Sequence, residues 1–165
     1  MRFDEIQPSP EYTASVSSSL SELEEGGRIY QRTIPGLLAT PDSLKRVFLS
    51  HDSIFIVKKG GLVRGMAACL FLNKAGEGAL IGGRFSLADP SPAHLSHDDI
   101  VAIYVWAISF PGEAVGNVME WLKRPKCRRA PLYERAMTPE GKAFMKRGGG
   151  VPLEGHPYLW IYRRV

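Results

Sequence analysis

Residues 98–150 read DDIVAIYVWAISFPGEAVGNVMEWLKRPKCRRAPLYERAMTPEGKAFMKRGGG, and their order decides the fold. Asp98–Ser109 is almost continuously apolar, as a strand covered on both faces would be. Phe110–Gly116 is a turn marked by Pro111, Gly112 and Gly116. Val115, Val118, Met119 and Leu122 then recur at helical spacing, which predicts a helix over Glu113–Lys123, ended by Pro125. Ala130–Ala136 reads as a second strand. Thr138 followed by Pro139 and Glu140 signals the N-terminus of another helix, closed by Gly148, Gly149 and Gly150. Tyr158–Tyr162 (YLWIY) is a last strand. A strand running into a glycine-marked helix start is a place where backbone N–H groups can meet an anion.

Upstream, Ser53–Lys58 and Leu62–Leu72 flank Lys59-Gly60-Gly61 and read as a hairpin. Thr40-Pro41-Asp42 opens a helix that runs to about Ser50 and buries Leu44, Val47 and Phe48. The rest of the first half is predicted as a short strand at Phe3–Ile6, a helix over Thr13–Glu25 stopped by Gly26 and Gly27, and irregular chain over Arg28–Leu38. Asn73–Gly78 reads as a polar turn, Ala79–Leu87 as a further strand and Asp89–His97 as a loop.

The 165 residues suit one domain, 1–165, with enough chain for a substantial core. Hydrophobic residues at 44% and charged residues at 23% are those of an ordinary soluble globular protein, expected in the cytoplasm. The longest apolar run, Ile100–Ile108, is too short to span a bilayer. A net charge of +4 is too small to mark a nucleic-acid binder by itself. Cys69 lies in an apolar pattern and reads as a core residue. Cys127 lies among cations that would favour its thiolate, against the plainer reading of an incidental surface thiol. Two isolated cysteines suggest neither a disulfide framework nor a metal site.

The layout of one strand, two helices, three strands, then strand–helix–strand–helix–strand resembles the Gcn5-related N-acetyltransferase (GNAT) superfamily. The resemblance implies an α/β (α+β) fold with a central mixed, mostly antiparallel sheet flanked by helices. It implies acetyl-CoA as co-substrate, an amine as acceptor and no metal. Trp106, Ala107, Ile108 and Ser109 would border the donor's pantetheine arm. Gly112, Ala114, Val115, Gly116 and Asn117 would offer the turn that holds its pyrophosphate. Within the family's Gln/Arg-x-x-Gly-x-Gly/Ala pattern, only Gly112 and Gly116 match, and Glu113 stands among the amides. Phe144 and Met145 occupy the places of a Leu-Tyr pair whose Tyr serves as general acid in many members, leaving Tyr133, Tyr158 or Tyr162 as substitutes. His97 and Asp98, with Asp99 beside them, form a candidate base, weighed against a solvated loop. Tyr104, in mid-strand, is a third candidate for the cleft.

A second reading keeps the fold without the chemistry, as a structural or protein-binding module in a larger assembly, or one that pairs with another copy through the closing strand. A third uses Lys123-Arg-Pro-Lys-Cys-Arg-Arg, five cations in seven residues, to meet the 3′-phosphate of CoA, an acidic carrier protein or nucleic acid. No aromatic side chain is interleaved there, which counts against single-stranded nucleic acid. Arg84 is weighed between an anion ligand and a solvated edge residue.

Overall fold

The computed structural model describes residues 1–17, 19–34 and 39–164. A seven-stranded mixed sheet runs through the molecule in the order β1-β2-β3-β4-β5-β7-β6. The strands are β1 Tyr12–Val16, β2 Ile54–Lys59, β3 Leu62–Leu72, β4 Ala102–Ser109, β5 Leu132–Arg135, β6 Val151–Pro152 and β7 Leu159–Tyr162. The helices are α1 Leu20–Thr33, α2 Pro41–Ser50, α3 Lys74–Ile81, α4 Val115–Leu122 and α5 Pro139–Arg147. All neighbouring strands are antiparallel except β4 and β5, which run parallel because α4 carries the chain back across the sheet.

One face of the sheet packs Ile54, Ile56, Leu70, Tyr104 and Tyr133 against Leu23, Tyr30, Val47 and Leu80 of α1, α2 and α3. The other packs Phe55, Cys69, Ile103 and Leu132 against Val118, Met119 and Met145 of α4 and α5. Thr40 caps α2 by accepting from Ser43 N–H, and Thr138 caps α5 by accepting from Gly141 N–H. Gly60 and Gly61 sit at φ 57° and 77° in the hairpin turn, where a side chain would be strained.

Several expected elements differ. Residues 3–5 form a 3-10 turn that places Phe3 against the Phe144 and Tyr162 rings, at 5.1 and 5.2 Å between centroids. Thr13–Val16 belongs to the first strand, since Tyr12–Val16 pairs with Phe55–Lys59; edge pairing overrides a weak helical spacing. Gly26 and Gly27 lie inside α1, which continues to Thr33. Gly26 lets the helix approach β3 closely, for a Cβ there would come 3.1 Å from that of Met66. The expected irregular segment is thus helical as far as Thr33, and Pro35–Leu38 lie outside the described residues. In place of a polar turn and a strand, residues 74–81 form α3, capped by Asn73 accepting from Gly76 N–H. The sheet has no place for a strand there, because β4 already occupies the free edge of β3. β6 covers the outer edge of β7, so the closing strand is not the sheet's edge. Among the described residues no helix is long and apolar enough to cross a membrane.

Candidate active site at the split between β4 and β5

β4 and β5 pair only at Ile103–Leu132, Tyr104–Tyr133 and Val105–Glu134. Beyond that point β5 follows β7 instead: Arg135 pairs with Leu159, and Ala136 N–H donates to Tyr158 C=O at 2.9 Å. β4 runs on through Trp106–Ser109 with no strand on its β5 side. A bulge helps it turn away. The β3–β4 register shifts between Ala68 and Cys69, leaving Trp106 as the extra residue. Close contact holds the strand end, since a Cβ on Gly65 would fall 1.9 Å from Ser109 C=O.

The split opens into a cleft of about 690 Å³. Its walls come from Tyr30 and Thr33 of α1 and Ile34 just after it, from β4, from Gly112 and Val115 at the start of α4, and from Thr138, Glu140 and Phe144 of α5 and its cap. Glu134 and Arg135 end β5 inside it. A smaller apolar cavity of about 50 Å³ lies beneath α4 and α5, and Val105, Ile108, Phe110, Val115, Glu134 and Phe144 line both spaces.

Glu134 is the residue that sequence reasoning missed. It keeps partial exposure to the cleft, yet its neighbours in the smaller cavity are apolar, among them Leu132, Val118, Met119 and Met145. It has no ion pair among the described residues. Burial pushes its carboxyl up to about 7. Near neutral pH such a group can take or give a proton with little bias, which general acid–base chemistry requires. The only hint in the sequence is a carboxylate inside a short strand, Leu132-Tyr-Glu-Arg.

No family model matches the chain, and no curated protein matches it.

Of the residues expected at the site, Tyr104, Trp106, Ile108, Ser109, Gly112 and Val115 line the cleft. Trp106 is also tied down, its indole N–H donating to Leu87 C=O at 2.6 Å. Ala107 and Ala114 are buried away from it. Gly116 and Asn117 have a different task from the one expected. A Cβ on Gly116 would lie 2.1 Å from Gln7 C=O. Asn117 Oδ1 accepts from Ser9 N–H at 3.0 Å, while Nδ2 donates to Ser9 and Tyr12 C=O at 3.0 and 2.9 Å. Both clamp the N-terminal segment over α4. Among the described residues no side chain caps the turn at Gly112–Ala114 or the first residue of α4.

His97 and Asp98 do not reach the cleft. They are exposed in the loop before β4, at the end of the strand opposite the split, where His97 stacks on His51 with ring centroids 4.3 Å apart. The basic run lies at the far end of α4, about 12 Å from the turn by helical rise. Lys126 and Arg124 there bind Asp52 at 3.0 and 3.4 Å, and Lys123 binds Glu120 at 3.1 Å. Cys127 is a buried core residue whose thiol burial pushes up, the reverse of an activated thiolate and of a surface thiol. Arg84 is exposed in the loop after α3, not in a strand.

The substitute phenols lie outside the cleft as well. Tyr133 Oη donates to Glu77 Oε2 at 3.0 Å, and burial, reinforced by that carboxylate, pushes it up to about 12. Tyr162 Oη donates to Asp4 Oδ2 at 2.7 Å. Tyr158 is exposed at the surface. Tyr30 and Tyr104 are the tyrosines that line the cleft.

Proposed function

We propose that the chain is a GNAT-like N-acyltransferase that moves an acyl group, most simply acetyl, from CoA to an amine. The carrying observation is the unpaired outer edge of β4 from Trp106 to Ser109, which faces a cleft between two parallel strands that part. An extended donor arm can lie along such an edge as a further strand would. A mixed, mostly antiparallel sheet flanked by helices is compatible with that resemblance. Uncapped amides at Gly112 and Glu113 end the same wall and suit the donor's phosphates.

The chemistry is direct transfer. The amine nitrogen attacks the thioester carbonyl, the C–N bond forms, the C–S bond breaks, and the thiolate leaves. Glu134, ionised, takes the proton that the nitrogen sheds. Met145, where many members of that superfamily would have a phenol, offers no proton to the thiolate, so water protonates it.

A second reading is a non-catalytic binding module. It is favoured by Gly116 and Asn117, which hold the N-terminal segment where phosphate contacts were expected. Isothermal titration calorimetry with acetyl-CoA and with free CoA separates the two. Stoichiometric micromolar binding supports the transferase. No heat at millimolar ligand, with self-association in sedimentation, supports the module.

A further inference from the structure

Arg135 follows Glu134 and projects to the opposite face of β5, the side of Tyr133 and helices α1–α3. It is half-buried in the wall of the cleft, and its Nε is buried with no hydrogen-bond partner among the described residues. Among the described residues it has no ion pair, and its one side-chain hydrogen bond is a long one from Nη2 to Met137 Sδ at 3.9 Å. Tyr104 lines the same wall, close enough to feel both the Arg135 charge and Tyr30. Burial raises both phenols, so each stays a neutral donor at physiological pH.

A guanidinium drawn out of water without an anion is costly, and its planar fork matches a carboxylate through two parallel N–H bonds. Resting on the acyltransferase reading, we infer that the acceptor substrate carries a carboxylate, held by Arg135 with the Tyr104 and Tyr30 hydroxyls beside it. The donor's phosphates are the other source of anions. In that reading they belong to the helix start at Gly112 and Glu113, beyond the Trp106–Ser109 edge, and leave Arg135 to the acceptor. The aromatic lining at Tyr30, Tyr104 and Trp106 suits an apolar body attached to that carboxylate.

The test titrates 3-phenylpropionate and 3-phenylpropionamide into the isotope-labelled full chain, followed by NMR, with Arg135→Gln and Arg135→Lys in parallel. The expected result is saturable binding of the acid and at least tenfold weaker binding of the amide. Arg135→Gln should lose the acid by at least tenfold, and Arg135→Lys should keep part of the affinity. Equal binding of acid and amide, no binding of either, or acid binding indifferent to Arg135→Gln overturns the inference. Acetyl-CoA titrated into Arg135→Gln should match wild type, which also shows that the variant is folded. Weakened acetyl-CoA binding in a variant with unchanged melting temperature would give Arg135 to a donor phosphate and overturn the acceptor role. Carboxylate binding in a wild-type protein indifferent to acetyl-CoA would remove the acyltransferase reading and leave the anion site standing.

Discussion

The two ends of β4 treat their charged groups differently. At its beginning, Asp52 gathers Arg124 and Lys126, Arg124 also lies 4.0 Å over the Trp121 ring, and His97 stacks on His51. At its other end, Glu134 and Arg135 border a cleft without an ion pair among the described residues, although both are partly drawn out of water. The first end looks more chemical in the sequence, with a His beside two carboxylates and five cations nearby. The second is where unpartnered groups line a space a ligand can enter. Charge density in a sequence marks a surface, whereas charge left unpaired in a recess marks a site.

The largest effect should come from glycines that hold the open end in place. Gly65→Ala drives a Cβ into Ser109 C=O, and Gly116→Ala drives one into Gln7 C=O, so each should lose about 3 kcal/mol in urea unfolding. Gly112→Ala meets nothing within 4 Å and should stay within about 0.5 kcal/mol of wild type. Equal losses at all three would break the distinction between clamp and open turn.

Glu134→Gln should come next, and its effect depends on pH. The folded state holds the Glu134 proton up to about 7, against a usual value of 4.5, so the stability linked to that proton is complete below 4.5 and is lost as pH rises through 7. The variant should match wild type near pH 4 and exceed it by about 2–3 kcal/mol at pH 8. A constant offset across that range would mean that the carboxyl is not held in an apolar setting.

Asn117→Ala removes three hydrogen bonds to the N-terminal segment, of whose groups Ser9 C=O keeps the Tyr12 N–H at 3.3 Å, and should cost about 1–2 kcal/mol in the same unfolding assay. The closed end should give the smallest effect. Burial raises the Asp52 carboxyl, but the Lys126 hydrogen bond and the two cations outweigh it and hold the group below its usual range. Because the side chain is 42% exposed, Asp52→Ala should cost only about 0.5–1 kcal/mol near neutral pH, less in high salt. That contribution is present at neutral pH and fades as acid protonates the carboxylate.

Elements with strong local signals were legible from the residues. Thr40-Pro41 opens α2, the glycine pair closes the β2–β3 hairpin, and the apolar run marks β4. Gly26 and Gly27 misled because a glycine pair signals a helix stop locally, while here Gly26 serves contact with Met66 across the fold. β1 is an edge strand with two exposed positions and carries little pattern. Half of the cleft wall was legible, since a turn after a strong strand locates residues 106–115. Glu134 and Arg135 were not, because their setting arises only where β5 leaves β4 for β7. His97 was misplaced for a related reason: adjacency to the strand does not say which end of it opens.

The most direct measurement is a backbone amide NMR titration of the full chain with acetyl-CoA. Shifts confined to the Trp106–Val115 and Glu134–Gly141 amides, saturating with one equivalent, are the result the open β4 edge predicts. No shifts at millimolar acetyl-CoA, or shifts gathered on residues 123–129 at the closed end, would contradict it.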